Sequence, residues 1–459
     1  MKKIGLVYLL LFVWSWLSVG QNQDRKSDDF HNWAPTPAMG WNSWDCYGPT
    51  VVESEVKANA DYMAAHLKKF GWEYIVIDIR WYVDNDKAHG YNEKDPSYVM
   101  DEFGRFLPSP VRFPSAINGQ GFKSIADYIH SKGLKFGIHI MRGIPKEAVK
   151  RNLPVFGSKL KAADIYNTNQ LCKWLNDMYT VDSKKEGAQE YYNSIFSLYA
   201  LWGLDFVKID DLSAPFYHQD EIELIRKAID RSGRKIVLST SPGQTPFDNR
   251  EHIQSNSNMW RIVGDLWDNW TQLKEEFEVC NRWSYYIGDG HFPDCDMLPL
   301  GRIGIRAERG NDRMSLLTRD EQVTMMTLFA IFRSPLMFGG NLPDNDDFTL
   351  SLLTNKEVLE VNQHSIGNKQ LFSKDGKIAW TATDPKTGDK FLALFNISDK
   401  VGPNAFKSQN ISVGLDQLGI KGTYIVKDLW TGKEIGKFKG EFAQQIKPHA
   451  SGLYRISMK

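Results

Sequence analysis

From about residue 38 onward, short apolar runs rich in β-branched residues alternate with longer segments whose apolar positions recur every three or four residues. The short runs have the length and flanking turn residues of buried strands, and the longer segments have helical periodicity. Strands are predicted at residues 38–44, 74–81, 135–141, 206–211, 236–241, 259–265, 296–300 and 335–338. Helices are predicted at 53–70, 122–131, 186–202, 220–231, 273–286, 319–332 and 346–362. In the first of these, Val56, Ala60, Met63, Ala64 and Leu67 fall on one face. Eight strands joined by helical crossovers predict a (β/α)8 TIM barrel over residues 34–364. The rival is a doubly wound open sheet, but the Gly-rich phosphate turn such a fold usually carries after its first strand is missing. Two long loops, 83–119 and 142–185, follow the second and third strands, at the end of a barrel where substrate pockets are built.

Past residue 364 the texture changes to brief runs at 370–372, 378–382, 390–396, 411–413, 422–426 and 452–456. Turn signals such as Lys374-Asp375-Gly376 and Thr387-Gly388-Asp389 separate them. This pattern predicts an antiparallel β-sandwich over 365–459, with packing against the barrel as its simplest role and carbohydrate binding as the alternative.

The N-terminus departs from both patterns. Lys2 and Lys3 precede an apolar run, residues 4–17, and then Ser18-Val19-Gly20. That is the layout of a signal peptide covering residues 1–20, so the mature chain is expected to start near Gln21 in a periplasm or outside the cell. Removing it leaves 54 Lys and Arg against 56 Asp and Glu, a balance that points to no nucleic acid and no acidic membrane surface as partner. No later apolar run is long enough to span a bilayer. Cys46, Cys172, Cys280 and Cys295 have spacings that fit no zinc site, and in an oxidising compartment one or two disulfides could form among them. Fifteen Trp residues suit either a large aromatic core or a cleft that stacks on sugar rings.

Candidate chemistry comes from acids at strand C-terminal ends. In the predicted strand 206–211, Phe206, Lys208 and Asp210 share one face and Val207 and Ile209 the other. Asp78 ends the second strand, Asp265 the sixth, and Asp294 and Asp296 open the seventh, so all would ring one mouth of the barrel. Any one of them could be a helix cap or a structural ion pair. Together they suit Mg²⁺-assisted chemistry or glycoside hydrolysis, which needs two carboxyl groups facing each other across a sugar. Asp210 and Asp265 lie two strands apart, on separate walls, which favours the second. Arg261 has the parity of Asp265, and Trp44 offers an apolar wall for a pyranose ring.

Several motifs are recognisable in order. They are Ala38-Met39-Gly40-Trp41-Asn42-Ser43-Trp44, Tyr74-Ile75-Val76-Ile77-Asp78, Gly203-Leu204-Asp205-Phe206-Val207-Lys208-Ile209-Asp210, Trp260-Arg261-Ile262-Val263-Gly264-Asp265 and Asp294-Cys295-Asp296-Met297-Leu298. They resemble the signature strands of glycoside hydrolase family 27, in register from Pro37 to Asn362. The resemblance implies a retaining exo-glycosidase that needs neither metal nor cofactor and takes an oligosaccharide or polysaccharide ending in a galactose-like sugar. It implies Asp210 as nucleophile and Asp265 as acid/base. It further implies Lys208 beneath Asp210 keeping it ionised, Asp78 on sugar hydroxyls, Trp44 as stacking wall, and Arg261 and Asp296 near the sugar's 2-position. Four departures set the chain apart from the family's α-galactosidases. Ile79 replaces a second sugar-binding carboxylate, which bears on the axial 4-hydroxyl or O6. Ser239-Thr240-Ser241 replaces Cys-Glu-Trp, so Ser241 leaves room for a larger 2-substituent. His139 stands for a Tyr as a pocket ligand, and Leu212 for a Cys. The activities implied are α-galactosidase first, then α-N-acetylgalactosaminidase, β-L-arabinopyranosidase and isomaltodextran cleavage. A sugar-binding protein without catalysis is the alternative from another class, and intact Asp210 and Asp265 argue against it.

Overall fold

The computed structural model describes residues 29–399 and 407–458. The expected signal segment lies outside the described residues. Parallel strands Met39–Asn42, Tyr74–Ile77, Lys135–Met141, Phe206–Asp210, Val237–Thr240 and Met259–Arg261 pair in that order, and Leu336–Phe338 pairs with the first. The seventh barrel position is a broken strand. Its first half, Phe292–Asp294, pairs with Met259–Arg261, and its second half, Met297–Leu298, pairs with Leu336–Phe338. The ring therefore closes through the covalent link Cys295-Asp296, where Asp296 takes the left-handed φ of 76°. Asp294 ends the first half of this position and does not open the strand, because the break falls between the two acids.

Strand periodicity divides the core in two. Inward residues Tyr74, Val76, Phe206, Val237, Met259, Met297 and Met337 pack together as the barrel floor. Their outward neighbours, among them Ile75, Ile77, Val207, Ile209 and Leu238, pack against the surrounding helices. Val207 and Ile209 have no exposed surface, and each contributes about 1.5–3 kcal/mol by burial. The helix Ala188–Trp202 delivers the fourth strand through Gly203, whose φ of 88° is a conformation L side chains avoid.

Several expected ends are shifted. The first, second and sixth strands stop at Asn42, Ile77 and Arg261. Trp44 therefore opens a short helix, Trp44–Tyr47, and Asp265 lies four residues beyond its strand, because apolar residues such as Val263 continue into the loop. The expected helix 53–70 is α-helical only over Glu53–Tyr62 and then passes into a wider turn, Met63–Leu67. The expected helix 346–362 is two helices, Asp347–Thr354 and Lys356–His364, split at Asn355, whose side chain accepts from the N–H groups of Glu357 and Val358.

The two long loops are pinned by a buried ion pair. Arg80 meets Asp177 at 2.8 Å, and the hydroxyls of Tyr82 and Tyr98 donate to the same carboxylate at 2.8 and 2.6 Å. With its lone pairs satisfied, such a pair tolerates burial and orients the loops over the barrel mouth.

Beyond the last helix, six strands form an antiparallel sheet in the order Ile366–Lys374, Lys377–Thr383, Lys390–Asn396, Ser451–Met458, Thr423–Asp428, Glu434–Lys439. Gln409–Gly414 and Glu441–Ile446 pair separately and close the sandwich over Leu392, Leu394, Ile411, Val413 and Phe442. Glu434–Lys439 and Glu441–Ile446 are additional to the expected strands. The first buries no residue, so it carries no apolar alternation to read. The helix Arg319–Phe332 joins the domains. It starts in a capping box of Thr318 and Glu321 and is buried nearly all round. Thr324 donates to the carbonyl of His449 at 2.8 Å, and the indole of Trp430 donates to Thr327 at 2.9 Å. All four cysteines are free thiols, and Cys280 and Cys295 lie side by side in the core with their sulfurs 3.3 Å apart.

Candidate active site

Above the apolar floor, the same inward parity turns polar. Asp78 sits over Val76, Lys208 and Asp210 over Phe206, Ser241 over Val237, and Arg261 over Met259. A cavity of about 300 Å³ opens there, and Trp44, Asp78, His139, Lys208, Asp210, Ser241, Arg261, Asp265 and Asp296 all line it. Every candidate catalytic or sugar-binding residue named from the sequence is thus brought to one pocket, and of the acids at strand ends only Asp294 is left out. That residue is buried behind the break, where its Oδ1 accepts from the N–H of Asp296 at 2.9 Å and burial pushes its carboxyl up to about 6.

Asp78 is the most fully satisfied acid. Its Oδ2 accepts from Asn42 at 2.8 Å, and its Oδ1 from Nδ1 of His139 at 2.6 Å and from the N–H of Ile79 at 2.9 Å. Burial opposes its ionisation, but His139 and Lys208 outweigh that and hold the carboxyl well below the usual range. Lys208 lies 3.6 Å from Asp78. This corrects the expectation that Lys208 serves Asp210 directly. Residues two apart on a strand are separated by about 6.6 Å, and the ammonium leans across to the neighbouring acid instead.

Asp210 is held from the residue just past the end of the next strand. Ser241 donates its hydroxyl to Oδ1 at 2.8 Å, and Nε2 of His139 lies 3.8 Å from Oδ2. Ser241 therefore orients the acid instead of leaving an open space. Behind Asp210, Arg142 clamps the chain. Its Nε donates to the carbonyl of Asp211 at 2.7 Å, and its other nitrogens meet the carboxylates of Asp211 and Glu221 at 2.9 and 2.8 Å. This anchors Asp211 in its left-handed φ of 63°.

The third cluster faces the mouth. Arg261 binds Asp296 at 2.6 Å and Asp265 at 3.2 Å, and Asp296 accepts from the N–H of Leu266 at 2.8 Å. The Asp265 side chain is 48% exposed, whereas Arg261 is buried. Desolvation works against ionisation of Asp265, but Arg261, Lys208 and Arg309 together keep its carboxyl below the ordinary value. Burial raises Asp296, against the pull of Arg261. Asp265 reaches the cavity through the loop after the sixth strand and not by strand parity.

Sequence reasoning missed the loop contributions. Tyr91 stacks on Trp44 with ring centroids 5.9 Å apart, and Asp45, Trp174, Trp267, Glu308 and Arg309 complete the wall. Apart from Asp45, which sits in the short helix Trp44–Tyr47, they come from irregular segments that have no periodicity to read, and the abundance of Trp is their one compositional trace. Among the described residues, no cluster of His, Cys, Asp and Glu has the arrangement of a metal site.

A family model described as Alpha galactosidase A matches residues 36–185 and 170–364, and one described as Alpha galactosidase C-terminal beta sandwich domain matches 374–456. The chain belongs to glycoside hydrolase family 27. It is a glycoside hydrolase, and its substrate is a glycoside. Among solved family 27 structures it is similar to a β-L-arabinopyranosidase from Geobacillus stearothermophilus, with 52% identity, a TM-score of 0.90, and coverage of 94% of this chain and 98% of that one. A variant of that protein was solved with arabinose bound. A candidate α-N-acetylgalactosaminidase from Bacillus halodurans is 50% identical, with a TM-score of 0.83 over 93% of this chain and 98% of that one. Alpha-galactosidase 2 of Arabidopsis thaliana is 26% identical over 93% of this chain and 90% of its own length.

Proposed function

We propose that this family 27 enzyme is a retaining exo-glycosidase that removes terminal β-L-arabinopyranosyl units and, more slowly, α-galactosyl units. The two sugars have the same ring configuration and differ only in the C5 hydroxymethyl group, which arabinopyranose lacks. The observation that carries the reading is Ile79. It is 2% exposed and lines the cavity directly beside Asp78, offering an apolar surface where a galactosidase of this family holds a second carboxylate. Identity of 52% to an arabinopyranosidase over nearly the whole chain supports it.

In this scheme the free Oδ2 of Asp210 attacks the anomeric carbon as the bond to the leaving oxygen breaks, and Asp265 gives that oxygen its proton. Asp265, now ionised, then takes a proton from water. The hydroxide attacks the same carbon, the ester to Asp210 breaks, and the sugar leaves with its configuration retained. Ser241 orients the nucleophile through Oδ1. Asp78, with His139 and Lys208 on it, holds hydroxyls at the closed end of the cavity, and Trp44 covers a ring face. Arg261 and Asp296 set the position of Asp265. No step calls on a metal or a cofactor. The N-terminal signal pattern supports action outside the cytoplasm.

Nitrophenyl β-L-arabinopyranoside, α-galactoside, α-N-acetylgalactosaminide and α-glucoside, compared on the full chain, test the specificity. The expected order of kcat/KM places the arabinopyranoside first and the galactoside second, and a preference for either of the other two would overturn it.

Arg309 gives a pH test of Asp265. Its guanidinium lies 3.9 Å from that carboxylate and is one of the charges holding it below its usual value. The acid must be protonated for the first step, so activity falls as pH rises through its titration. Arg309→Gln removes a positive charge and raises that titration. The alkaline limb of kcat/KM should therefore move to higher pH, while the same limb measured at high salt should move less in the variant than in the wild type.

A further inference from the structure

One acid of the cavity has no assigned task. Asp45 follows Trp44 in the short helix after the first strand, is 2% exposed, and lines the cavity. Its segment is held from behind, the N–H of Gly304 donating to its carbonyl at 2.7 Å. Its carboxyl lies flat against Gly339, so closely that a Cβ at that position would stand 2.0 Å from Oδ2. The deep acids Asp78, Asp210 and Asp296 each accept a hydrogen bond from a protein donor. Oδ2 of Asp45 is buried and accepts none. Burial and the nearby Asp296 push its pKa well above the ordinary carboxyl range, so the group presents an O–H as well as a carbonyl.

An unsatisfied buried polar oxygen is costly, and folding alone gives no reason to keep one where an apolar side chain would fit. We propose that Asp45 is a specificity-determining residue whose uncharged carboxyl, lining the cavity while Oδ2 stays packed on Gly339, hydrogen-bonds a hydroxyl of the terminal sugar. The inference rests on the cavity being the sugar site. A neutral carboxyl suits the position because a further anion among Asp78, Asp296 and Asp265 would repel them, whereas an O–H can both donate to and accept from an alcohol.

The test uses Asp45→Ala and Asp45→Asn in the full chain, assayed with the preferred nitrophenyl glycoside and its monodeoxy analogues, with thermal melting alongside. The glycoside panel on the wild type is read first and selects the substrate. A preference for another sugar would revise the proposed specificity while leaving this test intact. Asp45→Ala is expected to lower kcat/KM by roughly 10- to 100-fold, the range for one hydrogen bond to a buried polar group. One monodeoxy analogue should lose a similar factor with the wild type and lose nothing further with Asp45→Ala. Asp45→Asn keeps a donor and an acceptor and should recover most of the activity. The melting temperature of Asp45→Ala should equal or exceed that of the wild type, because no partner is orphaned. Unchanged kcat/KM in Asp45→Ala would overturn the proposal. So would a loss that is the same for every deoxy analogue and comes with a lower melting temperature, since that marks a purely structural residue.

Discussion

Asp210→Ala is expected to lower kcat on nitrophenyl β-L-arabinopyranoside by roughly 10⁴- to 10⁶-fold, the scale on which loss of a covalent nucleophile acts. The binding wall of Asp78, His139, Lys208 and Trp44 is untouched by this change, so KM should move far less than kcat. The variant should also fold, because the hydrogen bond lost from Ser241 leaves a hydroxyl that water entering the cavity can satisfy. Azide supplies the more telling measurement. With the carboxylate gone, a small anion can enter the vacated space and attack the anomeric carbon of an activated substrate. The product is a glycosyl azide of inverted configuration, formed in one displacement because Asp265 still assists departure of the leaving group. Asp265→Ala should differ: azide is expected to rescue its second step and give an azide of retained configuration. Wild-type rates in Asp210→Ala, or a retained azide from it, would remove Asp210 from the role.

The contrast between these two acids follows from how each is positioned, and it also explains what could be read from the sequence. Asp210 belongs to a regular strand in which Val207 and Ile209 face the helices and Phe206 faces the barrel floor, so period-two alternation alone points the carboxylate at the mouth. Lys135–Met141 and Arg319–Phe332 were likewise legible to the residue, the first because Phe136, Ile138, Ile140 and Met141 make a short apolar run between Gly133 and Gly143, the second because Thr318 and Glu321 announce its start. Asp265 was found at the right place for a reason that does not hold. Parity with Arg261 has no force beyond Arg261, where the strand ends, and a loop stapled by Arg261 carries the acid into the cavity. Lys208 shows the converse. Its face was legible, but its partner was not, since the choice between Asp210 above it and Asp78 across from it depends on how neighbouring strands are staggered. The broken seventh strand was invisible for a similar reason. A left-handed Asp296 leaves no mark in apolar periodicity, yet it lets Phe292–Asp294 and Met297–Leu298 serve different neighbours and turns Asp296 toward Arg261. Tyr91, Trp174 and Arg309 arrive from segments without regular structure, where contact is decided by tertiary packing alone.

Ile79→Asp should reverse the sugar preference, and the size of the reversal can be argued from hydrogen bonding. With a galactoside bound, the introduced carboxylate can accept from the C6 hydroxyl, a charge-assisted bond worth about 1.5–3 kcal/mol, or roughly 10- to 100-fold in kcat/KM. With an arabinopyranoside bound, the sugar offers no hydroxyl there. The same carboxylate is then shut into a closed pocket beside the ionised Asp78, unpaired and repelled, at a cost of similar size. The two effects act on opposite substrates, so the ratio of kcat/KM values should swing by roughly 10²- to 10⁴-fold toward the galactoside. Lys208, 3.6 Å from Asp78, is the nearest charge able to soften the repulsion, and a Lys208→Met background should enlarge the penalty on the arabinopyranoside. Ile79→Val separates shape from charge. It opens space without adding an acceptor, so a modest gain on the galactoside and none on the arabinopyranoside is expected from it. A ratio that is the same in wild type and a folded Ile79→Asp enzyme would mean that this wall does not meet C5 of the sugar, and the preference for arabinopyranose would then need another source in the cavity.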